Sequence, residues 1–102
     1  MCFIHVLLNA LEMKAKGYEA QIVIEGMAVK LVPEMMVEGS LLNPLYRKAR
    51  GEGLIAGACR ACSAKFKVLD AVEAEGLPIL DDMSGHAGMF RFLNEGFEII
   101  TF

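Results

Sequence analysis

Apolar and polar positions along the chain follow two different periods, and the switches between them mark out the elements. Ile4, Leu7, Leu8, Leu11, Ala15 and Tyr18 recur at helical spacing, with His5, Asn9, Glu12 and Lys16 on the opposite face. This predicts an amphipathic helix that starts at Cys2 and is closed by Gly17. Residues 20–25 form a β-branched run, Ala20-Gln21-Ile22-Val23-Ile24-Glu25, too short for a helix and stopped by Gly26. A buried strand is expected there. From Met27 to Leu42 the pattern is mixed: residues 28–32 suit a short helix that Pro33 interrupts, and Glu38-Gly39-Ser40 reads as a turn.

The second half is more regular. Asn43-Pro44 supplies an N-cap and a first-turn proline for a helix with Leu45, Tyr46 and Ala49 on its apolar stripe, ended by Gly51 and Gly53. Residues 54–58 read as a strand. Ser63 is placed to cap a following helix in which Phe66, Val68, Leu69 and Val72 face inward and Gly76 terminates the run. Residues 77–80 make a short strand whose Pro78 suits its first positions or a sheet edge. Asp81-Asp82-Met83-Ser84-Gly85 is a loop, residues 86–95 a helix with Met89, Phe90 and Leu93 inward, and residues 97–102 a closing strand. Strands alternate with helices and no hairpin signal interrupts them, so the expectation is a single α/β domain with a mainly parallel sheet between helical layers. In such sheets ligands and reactive groups collect beyond the carboxyl ends of the strands, which is where Gly26, the segment 59–63 and the segment 81–86 fall.

Composition adjusts this picture in two ways. Hydrophobic residues make up 55% of the 102 residues, with a mean hydropathy of +0.43, yet no apolar run approaches the roughly 20 residues a membrane-spanning helix needs. The N-terminal apolar stretch has no basic flank and soon reaches Asn9, Glu12 and Lys14, so it reads as mature sequence. So much apolar surface on a small domain points to a homo-oligomer. The formal net charge of −3 gives no basic footprint for nucleic acid or an anionic membrane. Three cysteines, an odd number, argue against a disulfide framework and for free thiols in a reducing cytoplasm.

The candidate chemistry lies in Cys59-Arg60-Ala61-Cys62-Ser63, two thiols one helical turn apart at a predicted strand-to-helix junction. Backbone N–H groups at such a junction favour a thiolate, and Arg60 and Lys65 add positive charge nearby. Cys59 ends the strand and is the expected sulfur nucleophile, with Cys62 resolving or shielding it. His86, after the flexible Ser84-Gly85 pair, is the candidate for tuning the thiols or holding an anion. Gly26, Arg60, Ser63, Ser84 and Gly85 are candidate ligand contacts. Each has a plain structural alternative: the cysteines as small buried hydrophobes, His86 and Ser84 as helix-start residues, Asp81 and Asp82 as turn residues. A zinc site would need both cysteines with His86 and Asp81, since no second Cys-x-x-Cys exists; no metal and no cofactor is expected. Gly51 and Gly53 follow a helix and precede a strand, the reverse of a phosphate-cradling loop. A thioredoxin-type dithiol domain would place antiparallel strands after the motif's helix, which the strand-helix-strand order here does not.

Taken in order, Ile22-Val23-Ile24-Glu25-Gly26, Val29-Lys30-Leu31-Val32, Gly57-Ala58-Cys59-Arg60-Ala61-Cys62-Ser63, Leu80-Asp81-Asp82-Met83-Ser84-Gly85-His86 and Gly96-Phe97-Glu98-Ile99-Ile100-Thr101-Phe102 resemble the DsrE/DsrF-like family, in particular its small cytoplasmic branch. The Cys-x-x-Cys-Ser and Ser-Gly-His segments are the specific parts of the match. The resemblance implies an α/β/α sandwich of flavodoxin-like topology, homo-oligomeric assembly, and a cysteine that carries sulfur as a persulfide between donor and acceptor proteins. Such proteins begin with a strand ahead of the first helix, so the resemblance implies a fold that lacks this strand here. The expected function is a persulfide carrier or sulfurtransferase component; the alternatives are a non-catalytic oligomeric module that binds a small ligand or partner at the same loop edge, or a thiol-disulfide redox or metal site on the same fold.

Overall fold

The computed structural model describes residues 3–102, so the expected helix start at Cys2 lies outside the described residues. Helices and three strands alternate: α1 (Phe3–Ala15), β1 (Ile22–Ile24), a 3-10 helix (Gly26–Leu31) running into α2 (Val32–Met35), α3 (Asn43–Gly51), β2 (Ile55–Cys59), α4 (Arg60–Lys65), α5 (Leu69–Glu75), β3 (Ile79–Leu80) and α6 (Phe90–Asn94). The sheet has the order β1-β2-β3 and both pairings are parallel. This is the α/β fold that the alternation of elements predicts.

Central β2 sets the geometry. Its register with β1 slips by one residue, Ile22 opposite Ile55 but Val23 opposite Gly57, which leaves Ala56 as the extra residue of a bulge. Gly57 then passes so close to the neighbouring segment that a Cβ there would lie 2.5 Å from the Pro78 carbonyl oxygen. Only glycine fits. That carbonyl accepts the Ala58 amide at 2.9 Å, so Pro78, which has no N–H to give, still anchors the strand edge through its oxygen. The main core is formed by Leu7, Ile24, Val29, Val32, Met35 and Val72, all essentially inaccessible. A smaller cluster of Cys59, Leu80 and Ala87, flanked by Val23, Ala61 and Cys62, lies at the carboxyl end of the sheet.

Several elements differ from their sequence pattern for identifiable reasons. The buried face of α1 is Phe3, Leu7 and Ala10, while Leu8 and Tyr18, expected inside, are exposed. A stripe read by hydrophobicity alone is wide enough to be rotated by one position. Pro33 opens α2 rather than interrupting a helix, because the missing amide of proline costs nothing in a first turn. Asn43 is buried and does not cap α3; its Nδ2 donates to the Met35 carbonyl at 2.7 Å and its Oδ1 accepts from Arg47, tying α3 to α2. The helix expected after the cysteines is two helices, broken where Lys67 adopts φ 60°. Gly76 does end the second one in the left-handed conformation, φ 78°.

The C-terminal region departs furthest. The helix expected over 86–95 is confined to α6, with Met89, Phe90 and Leu93 exposed and Phe92 buried, edge-on to Phe97. The expected strand at 97–102 does not form: beyond the Phe97 amide, which donates to Phe92, this segment makes no backbone hydrogen bond among the described residues. A β-branched run becomes a strand only when a neighbour offers its edge and a face to pack on, and none does so here. Instead the segment borders a cavity of about 280 Å³ between α1, β1 and the 87–89 segment.

Candidate functional site

The two cysteines occupy the turn from β2 into α4. Cys59 is the last residue of β2, held opposite Leu80 of β3, and with φ −64° and ψ 126° it is also the N-cap of α4. Because its backbone is still extended while the next residues are helical, its Sγ folds back over the first turn. There it accepts the Cys62 amide at 3.5 Å and the Ala87 amide at 3.4 Å. Ser63 Oγ donates to the Cys59 carbonyl at 2.7 Å and locks this geometry from within the helix. Ser63 is fully buried within α4, so it is not the helix cap expected of it. A hydroxyl in the interior must satisfy itself locally, and the carbonyl four residues back is the available acceptor.

The loop after β3 completes the cage. The Met83 amide donates to the His86 carbonyl and the His86 amide to the Met83 carbonyl, at 2.8 and 2.9 Å, around Ser84 with φ 49° and Gly85 with φ 89°. Two residues of positive φ between a mutually bonded pair make a tight reversal of the type I′ kind, a hairpin feature not expected from the sequence. The Gly85 carbonyl accepts the Ala61 amide at 2.9 Å, and the returning chain delivers the Ala87 amide to Cys59. Ser84 and Gly85 thus shape the backbone at the site, and neither Ser84 nor His86 starts a helix. His86 is exposed, and its imidazole bonds to neither sulfur among the described residues. Arg60 points outward as well, its guanidinium 4.0 Å from Asp81 with both side chains exposed. Asp82 instead takes a two-point contact from Arg91, with Nη2 to Oδ1 at 2.8 Å.

Gly26 approaches from β1. Its φ of 60° turns the chain into the 3-10 helix, which packs against α4 beside the sulfur pair. The carboxyl ends of all three strands therefore converge on the sulfur pair.

The two thiols are inequivalent. Cys59 is 1% exposed, whereas Cys62 is half-buried. Burial pushes the Cys59 thiol up, but the amides of Ala87 and Cys62 and the Cys62 thiol, which donates to it, outweigh burial and hold it below the ordinary cysteine value. Cys62 is raised, first by burial, then because its proton is the one shared with Cys59, against the opposing pull of the Gly26 amide. Discrete N–H donors do this work, since α4 has only six residues and Arg60 faces away. Ala87 is the residue that sequence reasoning missed. It contributes a main-chain amide, to which residue type is blind, and only the small-residue pair Ser84-Gly85 after a strand hinted that the chain would fold back there.

Among the described residues no group of three or more His, Cys, Asp or Glu side chains gathers as a metal site. Nor is any described helix long and apolar enough to cross a membrane. Val23 and Ala87 border both the Cys59 cluster and the 280 Å³ cavity, whose lining includes Glu19, Glu25 and Glu98 but no basic residue.

No family model matches the chain, and no solved structure matches it. It is similar to an uncharacterised protein of Archaeoglobus fulgidus, with 38% identity over 47 residues that cover 46% of this chain and 75% of that one. It is also 31% identical to the uncharacterised protein MJ0733 of Methanocaldococcus jannaschii over 96 residues, or 94% of this chain and 76% of the relative. At that identity and coverage, the chain belongs to the same family as MJ0733.

Proposed function

We propose that the chain is a persulfide-handling sulfur carrier whose chemistry resides in Cys59 and Cys62. The observation that supports this most directly is the pair of backbone amides on Cys59 Sγ, with a second thiol packed beside it at the open end of the sheet. The thiolate is the form that attacks sulfur, and an amide-bound thiolate next to a half-exposed thiol is equipped to take a sulfane sulfur. In the elementary step a cysteine thiolate attacks the outer sulfur of R–S–SH; a new S–S bond forms, the old one breaks, and R–S⁻ leaves. The DsrE/DsrF-like resemblance is consistent with such a role and adds donor and acceptor proteins, homo-oligomeric assembly and a reducing cytoplasm to the proposal. His86, Arg60 and Ser84 lie on the outer rim, where they would meet a partner rather than the sulfur itself.

The test is intact-mass measurement after anaerobic incubation with a low-molecular-weight persulfide. At least one of Cys59→Ser and Cys62→Ser gains about 32 Da, the mass of one sulfur atom. The double variant, which retains Cys2, gains nothing. Absence of sulfur from both single variants overturns the proposal. It would favour the second reading, a non-catalytic binding module, which has the apolar cavity between α1, β1 and the 97–102 segment in its support.

A further inference from the structure

We propose that the accessible thiol, Cys62, takes the sulfur and that the enclosed one, Cys59, then expels it as hydrosulfide, so that the site acts as a persulfide reductase. This rests on the reading above that the pair handles sulfane sulfur; it reverses the order in which the motif alone suggests the two cysteines act.

The argument is one of reach and adjacency. Attack on a persulfide requires the nucleophile, the sulfane sulfur and the departing sulfur to lie nearly in line, so the attacking atom needs open space in front of it. Cys59 Sγ has none: it is 1% exposed, enclosed by Val23, Leu80 and Ala87, with two of its sides occupied by the amides of Cys62 and Ala87. Cys62 lies one helical turn further out in α4 and is half-buried. Its backbone amide donates to Cys59 Sγ at 3.5 Å and its side chain packs against the Cys59 cluster, so whatever is attached to the Cys62 sulfur is presented to the Cys59 sulfur from within the protein. The enclosed thiolate has no external partner within reach and one internal partner in contact.

Two balanced steps follow. In the first, Cys62 attacks the outer sulfur of R–S–SH, giving Cys62–S–SH; the departing R–S⁻ takes the proton that Cys62 relinquished and leaves as R–SH. In the second, the Cys59 thiolate attacks Sγ of Cys62, the Cys59–Cys62 disulfide forms, and the outer sulfur leaves as HS⁻. The sulfane sulfur is reduced by two electrons and the two cysteines are oxidised by two. An external dithiol restores the pair by thiol–disulfide exchange and becomes a disulfide in turn. Cys59 is suited to the second step because the amides that hold its charge also fix its position, through the Ser63 clamp on its carbonyl and its register with Leu80.

The test mixes the reduced protein anaerobically with one equivalent of glutathione persulfide and follows sulfide release, free thiols and intact mass together. Wild-type protein releases sulfide in step with the loss of two thiols and a fall of about 2 Da, the two hydrogens of a new disulfide. Cys59→Ser and Cys59→Ala retain the sulfur as a stable adduct on Cys62 and release sulfide at least about tenfold more slowly. Cys62→Ser takes up none. Uptake by Cys62→Ser at the wild-type rate, or a wild-type adduct that persists without sulfide release, overturns this order of events while leaving the carrier reading standing. Failure of every variant and of the wild type to react removes both.

Discussion

At Cys59 two opposing effects meet, and the structure shows which prevails. Enclosure disfavours the thiolate, two amides and a thiol favour it, and the sum is a depressed pKa. Ultraviolet titration of thiolate absorbance should therefore give a wild-type midpoint below the ordinary value of about 8.5. In Cys62→Ala, which removes the thiol donor, the Cys59 midpoint moves up. The linkage has a definite sign: a folded pKa below the unfolded one contributes stability that is full above the unfolded value and is lost as pH falls through the folded value. The stability of wild type relative to Cys59→Ser should accordingly grow with pH across that window, as measured by urea denaturation. The cysteine pair and the role of Gly26 as a turn are legible from residue type. Ala87 is not, because what it gives the site is an N–H that every residue except proline possesses.

Among the elements, β2 carries the strictest requirement. Gly57→Ala places a methyl group 2.5 Å from a backbone oxygen that cannot rotate away, so the strand edge at Pro78 or the bulge at Ala56 must give. A cost of roughly 2–4 kcal/mol is expected. Chemical denaturation checks it, and a loss under about 0.5 kcal/mol, the range of an ordinary surface change, would refute the close approach. The three strands that pair were all marked by short apolar runs bounded by glycine or proline, so their legibility followed from burial on the sheet. The 97–102 segment carries the same kind of residues but no partner edge, and strand propensity without a partner specifies nothing. In α1 and α6 the period was readable but the phase was not. Which side of a helix is buried depends on what packs against it, and in a composition that is 55% hydrophobic several apolar residues were bound to remain outside.

For the molecule as a whole, the alternation of elements is sufficient to indicate the α/β class, and the rule that strand ends host the chemistry puts Gly26, Cys59 and Gly85 at one edge from the sequence alone. Arg50 adds a long-range tie, joining Tyr46 of α3 to the end of α5 through the Glu75 carboxylate at 3.2 Å and its carbonyl at 3.0 Å. The exposed side chains of Phe90, Leu93, Ile100 and Phe102 leave an apolar C-terminal surface. Because the sulfur cage draws one part from each strand end, it has no existence in any fragment of the chain. Its titration is thus a built-in gauge of global integrity. On guanidinium melting at a pH between the folded Cys59 midpoint and the ordinary cysteine value, the Cys59 thiolate signal and the helical circular dichroism should fall along a single curve, and two separated curves would mean that the cage opens while the rest endures.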